Sequence, residues 1–442
     1  MSQMSYRGLA VMIAVTAMAT ATGVSARAPS LVPGMPDEVH SIRDCQLEKQ
    51  QYESLAADWR GYLDRNPRCA VAEVQLGRAL RYAGAPANEV IRHFAQALEL
   101  DPGCPEALDA AAATYLGEWK PLAEGAAGCY DLGLKAVDRA PEWADPHFTL
   151  WPLAMLLGRT QEADEQISLL LRKGGIPSPV LDYCYNMLVG AEQNAIIFTN
   201  GDNDTYGCRA LQVSYGLRLD VHILNLSLIS QPEIEAEIFR RFGDRTPLSA
   251  AERAALRSDF QANFSRDHEH YFVKVLKAIA AKAARGEWRG PVYVSLTVPG
   301  AATMCAQSLR MEGLLGRVVT EQAAQSGDHV DGDGGTDVGR TMTFFESVYR
   351  LDSASDRGFD WKRNNSVRAL AKNYQSVLFR LAVAAGQAGD QASMRSAFRR
   401  GIELATFHGD TETVTAMWVY WASLDPGNPE VRAQASGPDQ RP

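Results

Sequence analysis

The stretch IIFTNGDNDTYG, residues 196–207, decides how the middle of this chain is read. Ile196-Ile197-Phe198 is a continuous apolar run, the signature of a strand buried on both faces. It stops abruptly at Asn200-Gly201-Asp202-Asn203-Asp204-Thr205. Tyr206 to Tyr215 then follows a helical pattern, with Ala210, Leu211 and Val213 on one face. A second strand is expected over Asp220–Leu228, so strand, helix and strand form a βαβ unit. Further strands are expected at Pro291–Val298 and Gly316–Thr320, with helices near Ala250–Phe260 and Tyr271–Ala284. Residues 185–345 therefore read as a small Rossmann-like α/β domain with a mostly parallel sheet.

Helical patterns lie on both sides of it in the sequence. In residues 44–175, Leu76-Gly77, Gly84, Phe94, Ala97 and Pro102 fall close to tetratricopeptide spacing. Weaker copies run through Leu116-Gly117, Tyr130, Ala136 and Pro141, then Leu156-Leu157-Gly158 and Ala163. A helix pair cannot bury its apolar face alone, so such pairs stack. Residues 346–424 return to helical pairs, with Phe398, Ile402, Trp418 and Trp421 as apolar load, and 425–442 read as a disordered tail. The expected fold class is α/β plus all-α: tetratricopeptide-like arrays flanking the βαβ domain.

At the start, Arg7, the apolar charge-free run Leu9–Val24 and the small residues Val24-Ser25-Ala26 read as a signal peptide over 1–26. Residues 27–43, rich in Pro and polar residues, read as a flexible leader. No later run reaches 18 apolar residues, so the expectation is a mature chain without a membrane span, periplasmic or secreted. The seven cysteines include no Cys-x-x-Cys pair, which argues against zinc; disulfides are permitted in that compartment, and their connectivity stays open. A formal charge of −9 argues against nucleic acid as a partner.

Asn200, Gly201, Asp202, Asn203, Asp204 and Thr205 are the candidate site, because ligands of parallel α/β sheets bind beyond the carboxyl ends of strands. Two readings stand side by side. In one, Asp204 or Thr205 caps the next helix, and Asn200-Gly201 supply a left-handed turn. In the other, the loop holds a polar ligand such as a glycan; Asp202 and Asp204 as metal ligands form the weaker version, since hard cations prefer carboxylate oxygens. Asp267-His268-Glu269-His270 has poor spacing for a helical metal site, and Asp331–Asp337 lacks the glutamate of a calcium loop. No catalytic motif and no cofactor motif is found.

Several blocks in order resemble one family. GDNDT (201–205), LQVSYGLRLDVHILNLSLI (211–229), GPVYVSLTV (290–298), LRMEGLLGRVV (309–319) and NNSVRALAKNYQSVLFRLA (364–382) look like the soluble C-terminal region of the protein O-mannosyltransferase-like membrane proteins, a domain of unknown function. The resemblance spans roughly residues 185–422. In that family glycosyl transfer is attributed to an N-terminal multi-span membrane part, so the resemblance supplies no catalytic residue here. The functional expectation is a non-enzymatic binding or scaffold protein with a protein partner on its repeats, linked to envelope or glycan processes. The alternative is an enzyme of glycan or glycosyl-transfer metabolism using loop 201–205.

Overall fold

The computed structural model describes residues 32–42, 45–116, 122–267, 269–298, 300, 308–319, 335–428 and 431. The expected signal peptide, Cys305, His268, Gly117, most of the 321–337 loop and most of the tail lie outside the described residues.

The front of the chain is a succession of helices: α1 (Lys49–Arg65), α2 (Ala70–Ala83), α3 (Ala87–Leu100), α4 (Pro105–Ala113), α5 (Gly125–Arg139), α6 (Asp145–Leu156), α7 (Thr160–Arg172) and α8 (Ser178–Gly190). Each from α1 to α6 packs on the next, and α2, α4 and α6 also touch in sequence, as stacked hairpins must. The packing explains the residue spacing seen in the α2–α3 hairpin. A Cβ at Gly77 would lie 2.5 Å from the Phe94 ring, so a glycine is needed where Phe94 inserts. Gly84 ends α2 with φ +82°, the left-handed cap that only glycine adopts without strain.

The later copies are phased differently from expectation. α4 ends at Ala113, and Leu116 sits in a 3-10 turn rather than in the first helix of a pair. Gly158 has φ +67° and follows the end of α6, so it is a turn glycine like Gly84, not a helix-packing glycine like Gly77. The next close approach lies between pairs: an added Cβ at Gly133 of α5 would meet Leu150 of α6 at 2.7 Å.

Residues 32–42, within the expected flexible leader, are tethered to this array. Val39 is buried, its N–H donates to Gln75 Oε1 at 2.7 Å, and Trp59 Nε1 donates to Asp37 O at 3.0 Å. Val39 to Ala110 share one apolar core; a second continuous core runs from Cys129 through the sheet to Val431.

The sheet holds β1 (Ile196–Thr199), β2 (His222–Asn225), β3 (Val292–Ser295), β4 (Ser308–Glu312) and β5 (Leu315–Val319) in the order β2-β1-β3-β5-β4. β1 is central and fully buried, parallel to β2 on one side and to β3 on the other. The helix α9 (Asp202–Tyr215) joins β1 to β2. α10 (Pro232–Arg240), α11 (Ala250–Asp267) and α12 (Tyr271–Ala284) lead from β2 to β3. The expectation of a mostly parallel sheet needs correction: β5 is antiparallel to β3 and β4 is antiparallel to β5, so the sheet is mixed. The reason is the two-residue turn Gly313-Leu314, with Gly313 at φ +62°, which sends the chain straight back. A parallel strand would have needed a long crossover.

α13 (Val338–Thr343) and the helices α14 (Asn365–Gln387), α15 (Gln391–Phe407) and α16 (Thr411–Leu424) close the chain. α14 packs on α8, α13 and α15. α14, α15 and α16 each start on an Asn or Asp side chain that accepts a backbone N–H three residues on. Helices predominate over strands. Among the described residues no helix is long and apolar enough to cross a membrane, and the six cysteines described are free thiols.

Candidate functional site

The loop after β1 lies where the carboxyl ends of β1, β2 and β3 meet. Asp204 is the hub of its inner side. It is 1% exposed, and its oxygens accept the N–H of Asn200 and of Gly201, each at 2.9 Å, and the Thr297 hydroxyl. Burial pushes this carboxyl above its ordinary value, and the Thr297 and backbone donors oppose the shift. Thr205 also turns inward. Its Oγ1 lies 2.8 Å from Thr199 Oγ1 and accepts from Asn225 Nδ2 at 2.8 Å, tying the start of α9 to both strands. Asn225 Oδ1 accepts the N–H groups of Ser227 and Leu228, so one side chain organises the ends of β1 and β2 together.

The outer side differs. Asn200 and Asp202 are exposed, and Asn203 Nδ2 donates to Ser366 Oγ at 3.2 Å across a separation of 163 residues. Asn200 through Asp204 line a cavity of about 500 Å³. Its other walls are Leu296 and Thr297 after β3, Ser366 and Asn373 of α14, and Ile42 and Gln46 of the segment before α1. Ile42 and Asp202 also line a second cavity of about 480 Å³, which reaches Arg78, Asp109 and Thr149 on α2, α4 and α6. There Asp109 accepts from Thr149 Oγ1 at 3.0 Å and from Arg78 Nη2 at 3.4 Å. The wall that faces the strand ends is thus a polar row crossing the helical hairpins.

Of the six loop residues singled out in the sequence, five share one cavity wall and Thr205 does not. The left-handed turn expected at Asn200-Gly201 is absent: Gly201 is extended, with φ −122° and ψ −171°. An added Cβ there would find nothing nearer than Asp204 Oδ1 at 4.0 Å. Gly201→Ala is therefore expected to change stability by less than about 1 kcal/mol. Gly207, in contrast, lets α9 approach α8, since its Cβ would lie 2.6 Å from Cys184 Sγ. Gly207→Ala is expected to lose about 1–2 kcal/mol, the overlap outweighing the gain in helix propensity. Urea unfolding of the two variants checks the contrast.

Asp202 and Asp204 do not form a carboxylate pair facing a common point, for Asp204 is filled by donors from within. Among the described residues no group of three or more His, Cys, Asp or Glu is placed to hold a metal. Glu269 bonds Lys274 and Lys277, His270 stacks on Phe272, and Asp337 caps α13 by accepting the Arg340 N–H. Sequence reasoning missed Thr297, Ser366, Asn373, Ile42 and Gln46. Thr297 carried a signal, since it follows a strand parallel to β1; the others carried none.

The Gly216–Val221 step has a structural meaning. Gly216 ends α9 at φ +63°, and Arg218 at φ +47° turns its guanidinium onto the end of α8. Arg218 Nη1 donates to Leu188 O and Ala191 O at 2.8 Å, and Nη2 to Glu192 O at 2.9 Å. Asp220 holds the same guanidinium and accepts the Asn194 N–H. One arginine thus pins the last turn of α8, the entry to β1 and the start of β2.

Residues 180–249 match the family model of TMEM260-associated domain 2. TMEM260 is a protein O-mannosyltransferase-like membrane protein, which agrees with the resemblance carried by the sequence blocks. The stretch matching TMEM260-associated domain 2 runs from α8 through α10 and holds the Arg218 pin and the whole 200–205 loop. Comparison with curated proteins finds no match. A solved structure of Naa15/Naa10 bound to HypK-THB aligns at 15% identity and a TM-score of 0.20. The alignment covers 88% of this chain and 58% of that one, so the chain spans less than two thirds of that relative.

Proposed function

We propose that this chain is a non-enzymatic binding protein of the periplasm or cell exterior, serving an envelope or glycan process. Its stacked hairpins present a surface to a protein partner, and the strand-end cavity takes a polar ligand such as a glycan. The observation that carries the reading is the position of the 500 Å³ cavity between the ends of β1 and β3. In the order β2-β1-β3 the chain leaves β1 toward β2, while β3 lies on the other side, and such a switch point opens a crevice in Rossmann-like sheets. The rim offers Asn200, Asp202, Asn203, Ser366 and Asn373, donors and acceptors of the kind that recognise hydroxyl groups.

An acid–base or metal role for Asp204 is the less favoured reading, because its oxygens are taken by Asn200, Gly201 and Thr297. The test is thermal unfolding with a panel of free glycans, sugar nucleotides, Mg²⁺, Mn²⁺ and Ca²⁺, on wild type and on Asp202→Asn. Binding to the folded state must raise the melting temperature. A rise with a glycan that disappears in Asp202→Asn is expected. A rise only with a metal plus sugar nucleotide, together with turnover, would replace this reading by the enzymatic one.

A further inference from the structure

Cys184 on α8 and Cys208 on α9 are fully buried, and they meet where the two helices pack together. Gly207 permits that approach, since an added Cβ would lie 2.6 Å from Cys184 Sγ and 3.2 Å from Cys184 Cβ. The next residue, Cys208, turns its thiol to the same place, with Sγ donating to Cys184 O at 3.7 Å. The Cys184 thiol is a further hydrogen-bond neighbour of the Cys208 thiol; burial, aided by that neighbour, holds the Cys208 thiol well above its ordinary range. Cys104 and Cys129 differ, because their thiols have Glu106 and Thr114 as side-chain partners.

The pair stands beneath the candidate loop. Cys184 Sγ donates to Asn203 O at 3.1 Å, so this thiol already holds the first turn of α9. Residues 184–208 contain the end of α8, all of β1 and the whole 200–205 loop. A covalent link between the two sulfurs closes that segment into a ring and removes freedom from the unfolded chain. The native strain of such a link is small where the two side chains are neighbours before the bond forms.

We propose that Cys184 and Cys208 form an intramolecular disulfide that fastens the strand-end loop to α8. The pairing stands on this geometry and goes beyond the binding role above. The oxidant is a small-molecule disulfide such as oxidised glutathione. One protein thiol loses its proton, and its sulfur attacks the glutathione disulfide. That S–S bond breaks, a mixed disulfide forms, and one glutathione leaves and takes up the proton. The second cysteine, deprotonated in turn, attacks the protein sulfur of the mixed disulfide. The Cys184 Sγ–Cys208 Sγ bond forms, and the second glutathione leaves as a thiol. Two protein thiols thus give up two electrons and two protons, and glutathione disulfide gains both. Exchange proceeds as α8 and α9 part, or during folding, and burial then shields the bond from reductant.

The experiment starts from the full chain purified under reductant. It is moved into a mixture of oxidised and reduced glutathione and held until its mass stops changing. Free thiols are then alkylated, and the protein is digested without reduction for mass spectrometry. The expected result is a peptide pair joined through Cys184 and Cys208 as the dominant linked species. The oxidised protein is expected to melt at least about 3 °C above the reduced one, a difference that Cys208→Ala abolishes. The proposal is overturned if both cysteines are recovered alkylated, if either is joined mainly to glutathione or to another cysteine, or if the linked protein melts below the reduced one. Should Cys208→Ala fail to fold, the wild-type peptide map decides alone. None of these readouts depends on glycan binding, so failure here leaves the binding role standing, and the reverse holds too.

Discussion

Asp204→Asn lowers the stability of the protein by about 2–4 kcal/mol, the cost of setting an amide N–H against a buried donor. The wild-type carboxylate accepts Asn200 N–H on one oxygen and Gly201 N–H on the other, with the Thr297 hydroxyl joining the first. An asparagine of the same shape has a single acceptor oxygen, so at least one of these donors faces an NH₂ group. At 1% exposure no bulk water is at hand to take its place. The damage should be local to the ends of β1 and β3, because Thr297 ties the two loops through this one residue. Urea unfolding measures the loss, and amide exchange at Asn200 and Gly201 locates it. Asp202→Asn, on the opposite, exposed side of the helix start, should leave stability within about 0.5 kcal/mol of wild type. If Asp204→Asn were as stable as wild type while Asp202→Asn was not, the assignment of brace and rim would be reversed.

The second large effect is acid sensitivity at His222. Burial pushes its imidazole down to about 4, against an ordinary value of 6.5, with the nearby Asp220 opposing. The ring stacks on Phe242 at 3.8 Å, and it and Arg241 line one small cavity beside β2. Between pH 6.5 and about 4 the unfolded chain binds a proton that folded His222 does not. Stability must therefore fall as pH falls through that window, and the loss is complete below it. The shift corresponds to about 3 kcal/mol, reduced to about 2 kcal/mol by the partial exposure of the ring. His222→Gln removes the titration. Its stability should decline less than that of wild type between pH 6.5 and 4 by that amount, read from urea midpoints at a series of pH values. Parallel curves for the two proteins would show that His222 is protonated without cost.

Much of this architecture is local in origin, and local signals are what a sequence displays. Ile196-Ile197-Phe198 before a polar loop and a helix determined the βαβ unit, because a central strand must be apolar on both faces. Gly77, Gly84, Phe94 and Ala97 determined the first hairpin, because one close contact and one left-handed turn require those residue types. The candidate loop was visible as an abrupt change from apolar to polar residues.

What only the tertiary structure decided depends on partners far along the chain. The direction of β5 turned on the left-handed Gly313 and on pairing with β3, not on the composition of the strand itself. Asp204 and Asp202 look equivalent in the sequence. They part roles because two residues, roughly 200° around the helix, carry Asp204 inward to Thr297, 93 residues away, while Asp202 stays at the rim. Three chain segments, before α1, after β3 and at the start of α14, meet the loop to form one cavity. No periodicity records that meeting, since it arises from how the two apolar cores and the sheet pack, and burial acts on area without regard to order in the chain.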